Sequence, residues 1–406
     1  MVTSGMVIVG AGEAGVRAAF ALREQGYQGP VTLLGDEPHL PYERPPLSKA
    51  GEEAETVRAI VAEARFPEAE IVFRRGCKVA AIDRAEHSIV LEDDGVLRYE
   101  RLLLATGAAP RHILGLRYGE RIHTLRTVEQ AAAIRRVMRD GQHLIILGGG
   151  FIGLELAAMG RRLGAAVTLV EMQPRVLMRG VPERLALALQ ARHEAEGVNI
   201  ICGQGVATIT EDQTSVTVTL ADGRRIDGDA LVIGIGAEPN TAIAAEAGLA
   251  IENGIVVDDH LTTSDPGIFA AGDCCSYPVA VYGGRRARLE SWRNAQEQGN
   301  VAAANMLGKV EVFDSVPWFW SDQYDLTLQV AGLADGSVST VARHLSNEAE
   351  LLFHLDADGR LLSASGLGPG GAVARDIRLA EMLIARRAHP DPAMLADPSV
   401  KLKSLL

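Results

Sequence analysis

Short apolar runs that pass straight into glycine clusters set the rhythm of this chain. Val7-Ile8-Val9 leads into Gly10-Ala11-Gly12-Glu13-Ala14-Gly15, and Val16-Arg17-Ala18-Ala19-Phe20-Ala21-Leu22 follows. A brief continuous apolar run predicts a buried strand, and the spacing after the glycines predicts a helix ending near Gly26. A second buried strand, Val31-Thr32-Leu33-Leu34, stops at Gly35-Asp36-Glu37. The same order returns 138 residues later, when Leu144-Ile145-Ile146-Leu147 enters Gly148-Gly149-Gly150-Phe151-Ile152-Gly153. A helix to Leu163-Gly164 and the strand Val167-Thr168-Leu169-Val170-Glu171 complete it. An offset of that size repeats a domain, not a solenoid turn.

After each copy the pattern alternates, as antiparallel strands require. Ser88-Ile89-Val90-Leu91 precedes the turn Asp93-Asp94-Gly95, and Ser215 to Leu220 precedes Ala221-Asp222-Gly223. Buried strands then run into glycine again at Leu102 to Gly107 and Ala230 to Gly236. The chain returns through Gly267-Ile268-Phe269-Ala270-Ala271-Gly272-Asp273. From about Val312 the composition changes: all three tryptophans lie between positions 292 and 320, and Val330 to Leu406 predicts a few strands and one helix around Arg375–Arg387.

Glycines at i, i+2 and i+5 between a strand and a helix have a mechanical meaning. Gly10 permits the tight turn, Gly12 lets the backbone approach a pyrophosphate, and Gly15 lets helix and strand pack closely. The helix N-terminus offers N–H groups and partial positive charge to that pyrophosphate. Gly148, Gly150 and Gly153 repeat the device. Asp36 and Glu171, 26 and 23 residues past the first glycine of each turn, are the acids expected on ribose hydroxyls. Two such units predict two bound dinucleotides. Glu171 favours NADH because a carboxylate repels the 2′-phosphate of NADPH, and Arg175 nearby bears on that preference.

Composition narrows the partners. The 406 residues carry a net charge of −12, which argues against nucleic acid as the general partner. No apolar run approaches the ~18 residues of a membrane-spanning helix. Met6 to Val9 is too short for a signal peptide, and four cysteines are too few for a disulfide framework, so a cytoplasmic protein is expected. The ten histidines show no paired ligand spacing, and no metal site is expected. The 43 glycines exceed the usual ~7%, consistent with many tight turns.

The run Leu40-Pro41-Tyr42-Glu43-Arg44-Pro45-Pro46-Leu47-Ser48-Lys49 is more specific than a fold signal. Together with Ala105-Thr106-Gly107, Gly148–Glu155, Ala271-Gly272-Asp273 and Pro317-Trp318-Phe319-Trp320-Ser321-Asp322-Gln323, it resembles the FAD-dependent ferredoxin reductases. These serve Rieske-type aromatic-ring dioxygenases and bacterial cytochromes P450, and the resemblance covers essentially the whole chain. It implies a glutathione-reductase-like α/β fold with two Rossmann-like dinucleotide-binding domains and a C-terminal α/β domain. The FAD domain would be discontinuous (1–111 and 236–312), the NAD domain inserted (112–235) and the C-terminal interface domain 313–406.

Carried over, the resemblance puts Arg44 and Lys49 beside the FAD, with Lys49 close to the flavin ring. Thr106 and Arg111 would line its route, Val79 and Gly236 would join the cofactor-binding set, and Asp273 would hold the ribityl chain. Trp292 and Trp320 would lie at the flavin edge. Glu155 would face the nicotinamide and pair with Lys49, and these two are the expected catalytic residues. The implied acceptor is a small [2Fe–2S] ferredoxin. Ferredoxins of this kind are acidic, so docking needs a local basic face, and Arg285, Arg286, Arg288 and Arg293 form the candidate. A monomer or weak homodimer is expected.

Missing cysteines narrow the chemistry. Disulfide reductases of similar plan need a cysteine pair beside the flavin, and single-cysteine oxidases need one there. Pro41 to Lys49 has none, and the only cysteine before position 200 is Cys77. Hydride transfer from NADH to FAD, with electrons leaving singly, remains. Two alternatives stand beside it. One is a reductase of rubredoxin or monodehydroascorbate on the same scaffold. The other is an NADH-sensing flavoprotein resembling apoptosis-inducing factors.

Overall fold

The computed structural model describes residues 4–49, 57–346 and 348–406. It divides into two units. The described part of the first comprises 4–43, 57–109 and 238–317; that of the second comprises 44–49, 110–237 and 318–406 apart from position 347. Among the described residues the chain passes between them at Glu43/Arg44, Ala109/Pro110, Ala237/Glu238 and Pro317/Trp318.

The first unit is built on a seven-stranded sheet. Gly5–Val9 lies at its centre, parallel to Val31–Leu34 on one side and to Val96–Leu104 on the other. Val96–Leu104 is long enough to serve two partners: its first half pairs antiparallel with Ser88–Leu91, and its second half also pairs parallel with Ile268–Ala270. The central strands are continuous apolar runs because both faces are covered, and Ile8, Leu33, Leu102, Leu103 and Leu104 are wholly buried.

Helix Glu13–Glu24 packs against helix Trp292–Met306, and the contact depends on glycine. A Cβ built on Gly299 would stand 2.6 Å from the Ala14 carbonyl oxygen. Gln296 Nε2 donates to Glu13 Oε1 at 2.8 Å across the same seam. Gly299→Ala would gain about 1 kcal/mol of helix propensity, but overpacking against rigid backbone costs typically 1–3 kcal/mol or more. The clash wins: the urea midpoint of Gly299→Ala is expected to fall, and an unchanged or raised midpoint would show that the helices can separate freely.

The second unit repeats the central motif. Five parallel strands run in the order Val198–Cys202, Ala166–Glu171, His143–Leu147, Ala230–Ile233, Ile122–His123. Ile145, Leu147, Val170, Leu231 and Ile233 form its core with Val216, Val218 and Leu220 from the alternating strand Val216–Leu220. A five-stranded antiparallel sheet, with Trp318–Gln323 at one edge, carries helix Ala374–Ala385. The α/β architecture expected from the sequence is therefore present in both repeats and in the C-terminal region. By its contacts the segment starting at Arg44 belongs to the second unit, and a short helix, Pro392–Ala396, follows the expected C-terminal one.

Candidate functional site

In the first unit, Gly10 has φ 109°, and a Cβ there would lie 2.1 Å from the Ala105 carbonyl oxygen. A Cβ on Gly15 would lie 1.9 Å from the Gly10 oxygen. Gly12 differs, since nothing lies within 4 Å of its Cβ position. The two outer glycines are required by the fold itself, and the middle one keeps space open above the turn. Gly12 is the N-cap of helix Glu13–Glu24, and no side chain caps that end. Helix Val128–Arg136, by contrast, has a full capping box of Thr127 and Gln130. An open cradle with uncapped N–H groups fits the pyrophosphate of a dinucleotide. Asp36 is exposed just past strand Val31–Leu34, Val79 is buried, and Thr106, Asp273 and Trp292 are half-buried in the same unit. Thr106 Oγ1 donates to the Asn240 carbonyl at 2.6 Å.

The second turn has the same geometry. Gly148 has φ 109°, a Cβ on Gly153 would lie 2.0 Å from the Gly148 oxygen, and Gly150 has open space above it and no side-chain cap. Register exposes a difference between the repeats. Val9 faces Leu34 and Leu147 faces Val170, so Gly35 is the counterpart of Glu171, and the first acid falls one position later, at Asp36. Glu171 is anchored: Oε2 accepts from the Gly149 N–H at 2.6 Å and Oε1 from the Gln173 N–H at 2.7 Å. The Arg175 guanidinium is committed elsewhere, to the carbonyls of Val176, Leu177 and Val181 at 3.0–3.1 Å.

Lys49 and Glu155, 106 positions apart, are brought together within the second unit. Glu155 projects from helix Phe151–Arg162 and is only 7% exposed. Its Oε1 is 3.7 Å from Lys49 Nζ and accepts from Ser321 Oγ at 2.6 Å, and its Oε2 accepts from Ser48 Oγ. Lys49 Nζ also donates to Asp322 Oδ2 at 2.9 Å and sits 4.6 Å from the Trp320 ring centroid. Trp320 Nε1 donates to Asp322 Oδ2 at 3.0 Å and stacks on Trp318. Burial pushes the Glu155 carboxyl up, and Lys49 with the two serines only partly offsets it. For Asp322 burial also works upward, but donation from Lys49, Thr327 and Trp320 prevails and holds it low. One lysine thus bridges an exposed, ionised carboxylate and a buried one that takes a proton easily. Such a pair can move charge or a proton in response to what is placed beside it.

The other expected site residues have partners of their own. Arg44 donates to the Arg126 carbonyl at 2.6 Å, while Arg111 is exposed and its N–H bonds the Gly236 carbonyl at 2.9 Å. Among the arginines, Arg286 holds the Val257 and Ser276 carbonyls, Arg288 pairs with Glu290, Arg293 with Glu297, and Arg285 is exposed. Cys274 and Cys275 are fully buried, and burial pushes both thiols up. One group among the described residues, Asp258, Asp259 and His260, brings three ligand atoms within 4.8 Å, yet Asp258 Oδ1 already accepts the N–H groups of His260 and Thr262. Sequence reasoning singled out neither Ser48 nor Ser321 as a partner of Glu155, and it missed Asp322 as the second partner of Lys49. No helix among the described residues is long and apolar enough to cross a membrane.

Comparison with known proteins identifies the family. Residues 4–299 match the family described as pyridine nucleotide-disulphide oxidoreductase, and residues 318–406 match the reductase C-terminal family. The anthranilate 1,2-dioxygenase system ferredoxin–NAD(+) reductase component of Burkholderia cepacia is 40% identical over 406 aligned positions, covering 98% of both chains. The p-cumate 2,3-dioxygenase system ferredoxin–NAD(+) reductase component of Pseudomonas putida is 37% identical, again over 98% of both. The solved covalent putidaredoxin reductase–putidaredoxin complex superposes with a TM-score of 0.93 at 35% identity, covering 100% of this chain and 98% of that one. The chain belongs to the FAD- and NAD(H)-using pyridine nucleotide-disulphide oxidoreductase family, in the branch that carries the reductase C-terminal domain.

Proposed function

We propose that the chain is an NADH-dependent ferredoxin reductase that takes electrons from NADH through FAD and delivers them to the ferredoxin of an oxygenase system. The observation that carries this is the pairing of Lys49 with the buried Glu155 on the helix after the second glycine turn, in a chain with no cysteine between Pro41 and Lys49. It is supported by relatives whose names are those of ferredoxin–NAD(+) reductase components. FAD supplies the step from two-electron to one-electron chemistry. For this chain we assign FAD to Gly10, Gly12, Gly15, Asp36, Arg44, Val79, Thr106, Arg111, Asp273 and Trp292, with Gly236, Lys49 and Trp320 completing the set. NADH is assigned to Gly148, Gly150, Gly153 and Glu171. The FAD domain then comprises 1–111 and 236–312, the NAD domain 112–235, and the C-terminal domain 313–406.

The acceptor we propose is a [2Fe–2S] ferredoxin in the cytoplasm. Of the four arginines offered for docking, Arg285 has the exposed side chain, whereas Arg286 is spent on backbone carbonyls. Purified protein loaded with FAD is expected to reduce a [2Fe–2S] ferredoxin with NADH much faster than rubredoxin or monodehydroascorbate. Faster turnover of either alternative acceptor would overturn this reading.

Coenzyme choice follows from anchored groups. Glu171 presents a carboxylate held by two N–H groups, and Arg175 is turned onto carbonyls, so the Arg175 guanidinium is not offered to a 2′-phosphate. NADH is expected to exceed NADPH in kcat/KM, and Glu171→Gln to narrow the ratio roughly tenfold, the loss of one close like-charge repulsion of about 1–2 kcal/mol. Equal kcat/KM values for the two coenzymes in the parent would remove Glu171 from this role.

A further inference from the structure

Behind Glu155 a row of buried polar side chains leads away from the pair. Ser321, Gln323 and His193 are all buried, His193 completely. Gln323 Nε2 donates to Ser321 Oγ at 3.0 Å, His193 Nε2 lies 2.8 Å from Gln323 Oε1, and the Tyr324 hydroxyl lies 3.1 Å from His193 Nδ1. Chemistry fixes the direction. A carboxylate beside Lys49 only accepts, so the Ser321 hydroxyl must give it its one proton. Ser321 Oγ must then accept from the Gln323 amide nitrogen. The Gln323 oxygen only accepts, so His193 carries its proton on Nε2, and Nδ1 accepts from Tyr324. Every donor in the row points toward Glu155.

The end of the row is held at a cost. Tyr324 has φ 57° in the two-residue turn between strands Trp318–Gln323 and Leu326–Gly332, where a bulky residue is disfavoured. Its ring meets His193 edge-on at 4.9 Å, and Arg192, which pairs with Asp325, lies 5.1 Å from its centroid.

We propose that Gln323, His193 and Tyr324 are positioning residues, a one-way row of hydrogen-bond donors that aims the Ser321 hydroxyl at Glu155 and keeps this buried group an acceptor for Lys49. The proposal rests on the reading of Lys49 and Glu155 as the functional pair. The charged groups that face Glu155 are Lys49 from the segment Pro46–Lys49 and Asp322 from the edge strand. Those near His193 and Tyr324 are Arg192, Glu196, Arg161 and Arg162. Burial lowers the His193 imidazole, so it stays neutral, as the row requires.

The test is the pH profile of NADH-driven flavin reduction in FAD-loaded protein, followed by stopped flow. Protonation of Glu155 produces an acid limb in the parent. Gln323→Leu and His193→Phe are expected to move that limb up by about one pH unit, the scale of one lost hydrogen bond to a charged group. The rate above the limb stays at the parental value, and His193→Gln brings the limb most of the way back to its parental position. Glu155→Gln, run in parallel, should abolish the limb. If Glu155→Gln abolishes it while Gln323→Leu and His193→Phe leave it in place, the row is packing and this proposal fails alone. If Glu155→Gln itself changes nothing, the pair is not functional, and the proposal fails with it. A measurement on the parent needs no folded variant: the 15N ring signals of His193 should report a neutral Nε2–H tautomer at pH 7, and an Nδ1–H or doubly protonated ring would overturn the row's direction.

Discussion

Flavin reduction by NADH is expected to slow by roughly ten- to a thousandfold in Lys49→Met, with FAD still bound. Lys49 is the shared cation of two carboxylates, at 2.9 Å from Asp322 and 3.7 Å from Glu155. Its loss affects them unequally. Asp322 is 46% exposed and keeps water and its bonds from Thr327 and Trp320. Glu155 is buried, and a buried charge stripped of its partner is strongly unfavourable, so it takes up a proton. Methionine conserves the aliphatic stem and the packing on Trp320. Stopped-flow traces with NADH, beside flavin content by absorbance, check the outcome. Glu155→Gln should weaken the response to NADH without altering flavin content. Parental rates in both variants at full occupancy would make these residues structural.

Gly10→Ala is the second large effect: the protein is expected to lose its fold around the first turn and with it the flavin. Two penalties combine at one atom. The backbone sits at φ 109°, which costs a residue with a Cβ about 1–3 kcal/mol, and the Cβ would approach the Ala105 oxygen to 2.1 Å. A backbone carbonyl just past the end of the central strand Val96–Leu104 cannot retreat as a side chain would, so overpacking adds another 1–3 kcal/mol or more. The sum, about 2–6 kcal/mol or more, reaches the lower end of the 5–15 kcal/mol of a typical domain. Gly12→Ala is the matched control, since its backbone lies outside the left-handed region and its Cβ would meet nothing within 4 Å. It should melt like the parent apoprotein and bind FAD more weakly. Thermal melts with flavin absorbance separate the two, and a Gly10→Ala protein that folds and holds FAD normally would sink the argument.

How much of this was legible beforehand depended on whether the information was local. The two glycine turns, their strands and helices, and Asp36 and Glu171 could be read because turn sterics and apolar runs act over a few residues. Lys49 and Glu155 could not be paired by spacing; the likeness of the Arg44–Lys49 run to a known family suggested them. Ser321 and Gln323 carried a faint signal, polar residues at i and i+2 on the edge strand Trp318–Gln323, hence on one face. Their partner His193 lies on a helix 130 positions away, and nothing local announces it. The arginine cluster is the opposite case: a basic run is visible in sequence, whereas the bonding of Arg286 to carbonyls and the pairing of Arg288 and Arg293 with neighbouring glutamates are not.

The anchoring of Glu171 has a consequence for how coenzyme preference is inherited. Both oxygens of this carboxylate cover backbone donors, Gly149 N–H and Gln173 N–H. A lineage that shortened the side chain to serine or alanine would uncover two N–H groups together with the repulsion it removed. The first step toward a phosphorylated coenzyme is thus already written into the main chain, and it needs no imported arginine. Recruiting Arg175 would be the costlier route, because its guanidinium fastens the loop from Val176 to Val181, and turning it outward would loosen that loop.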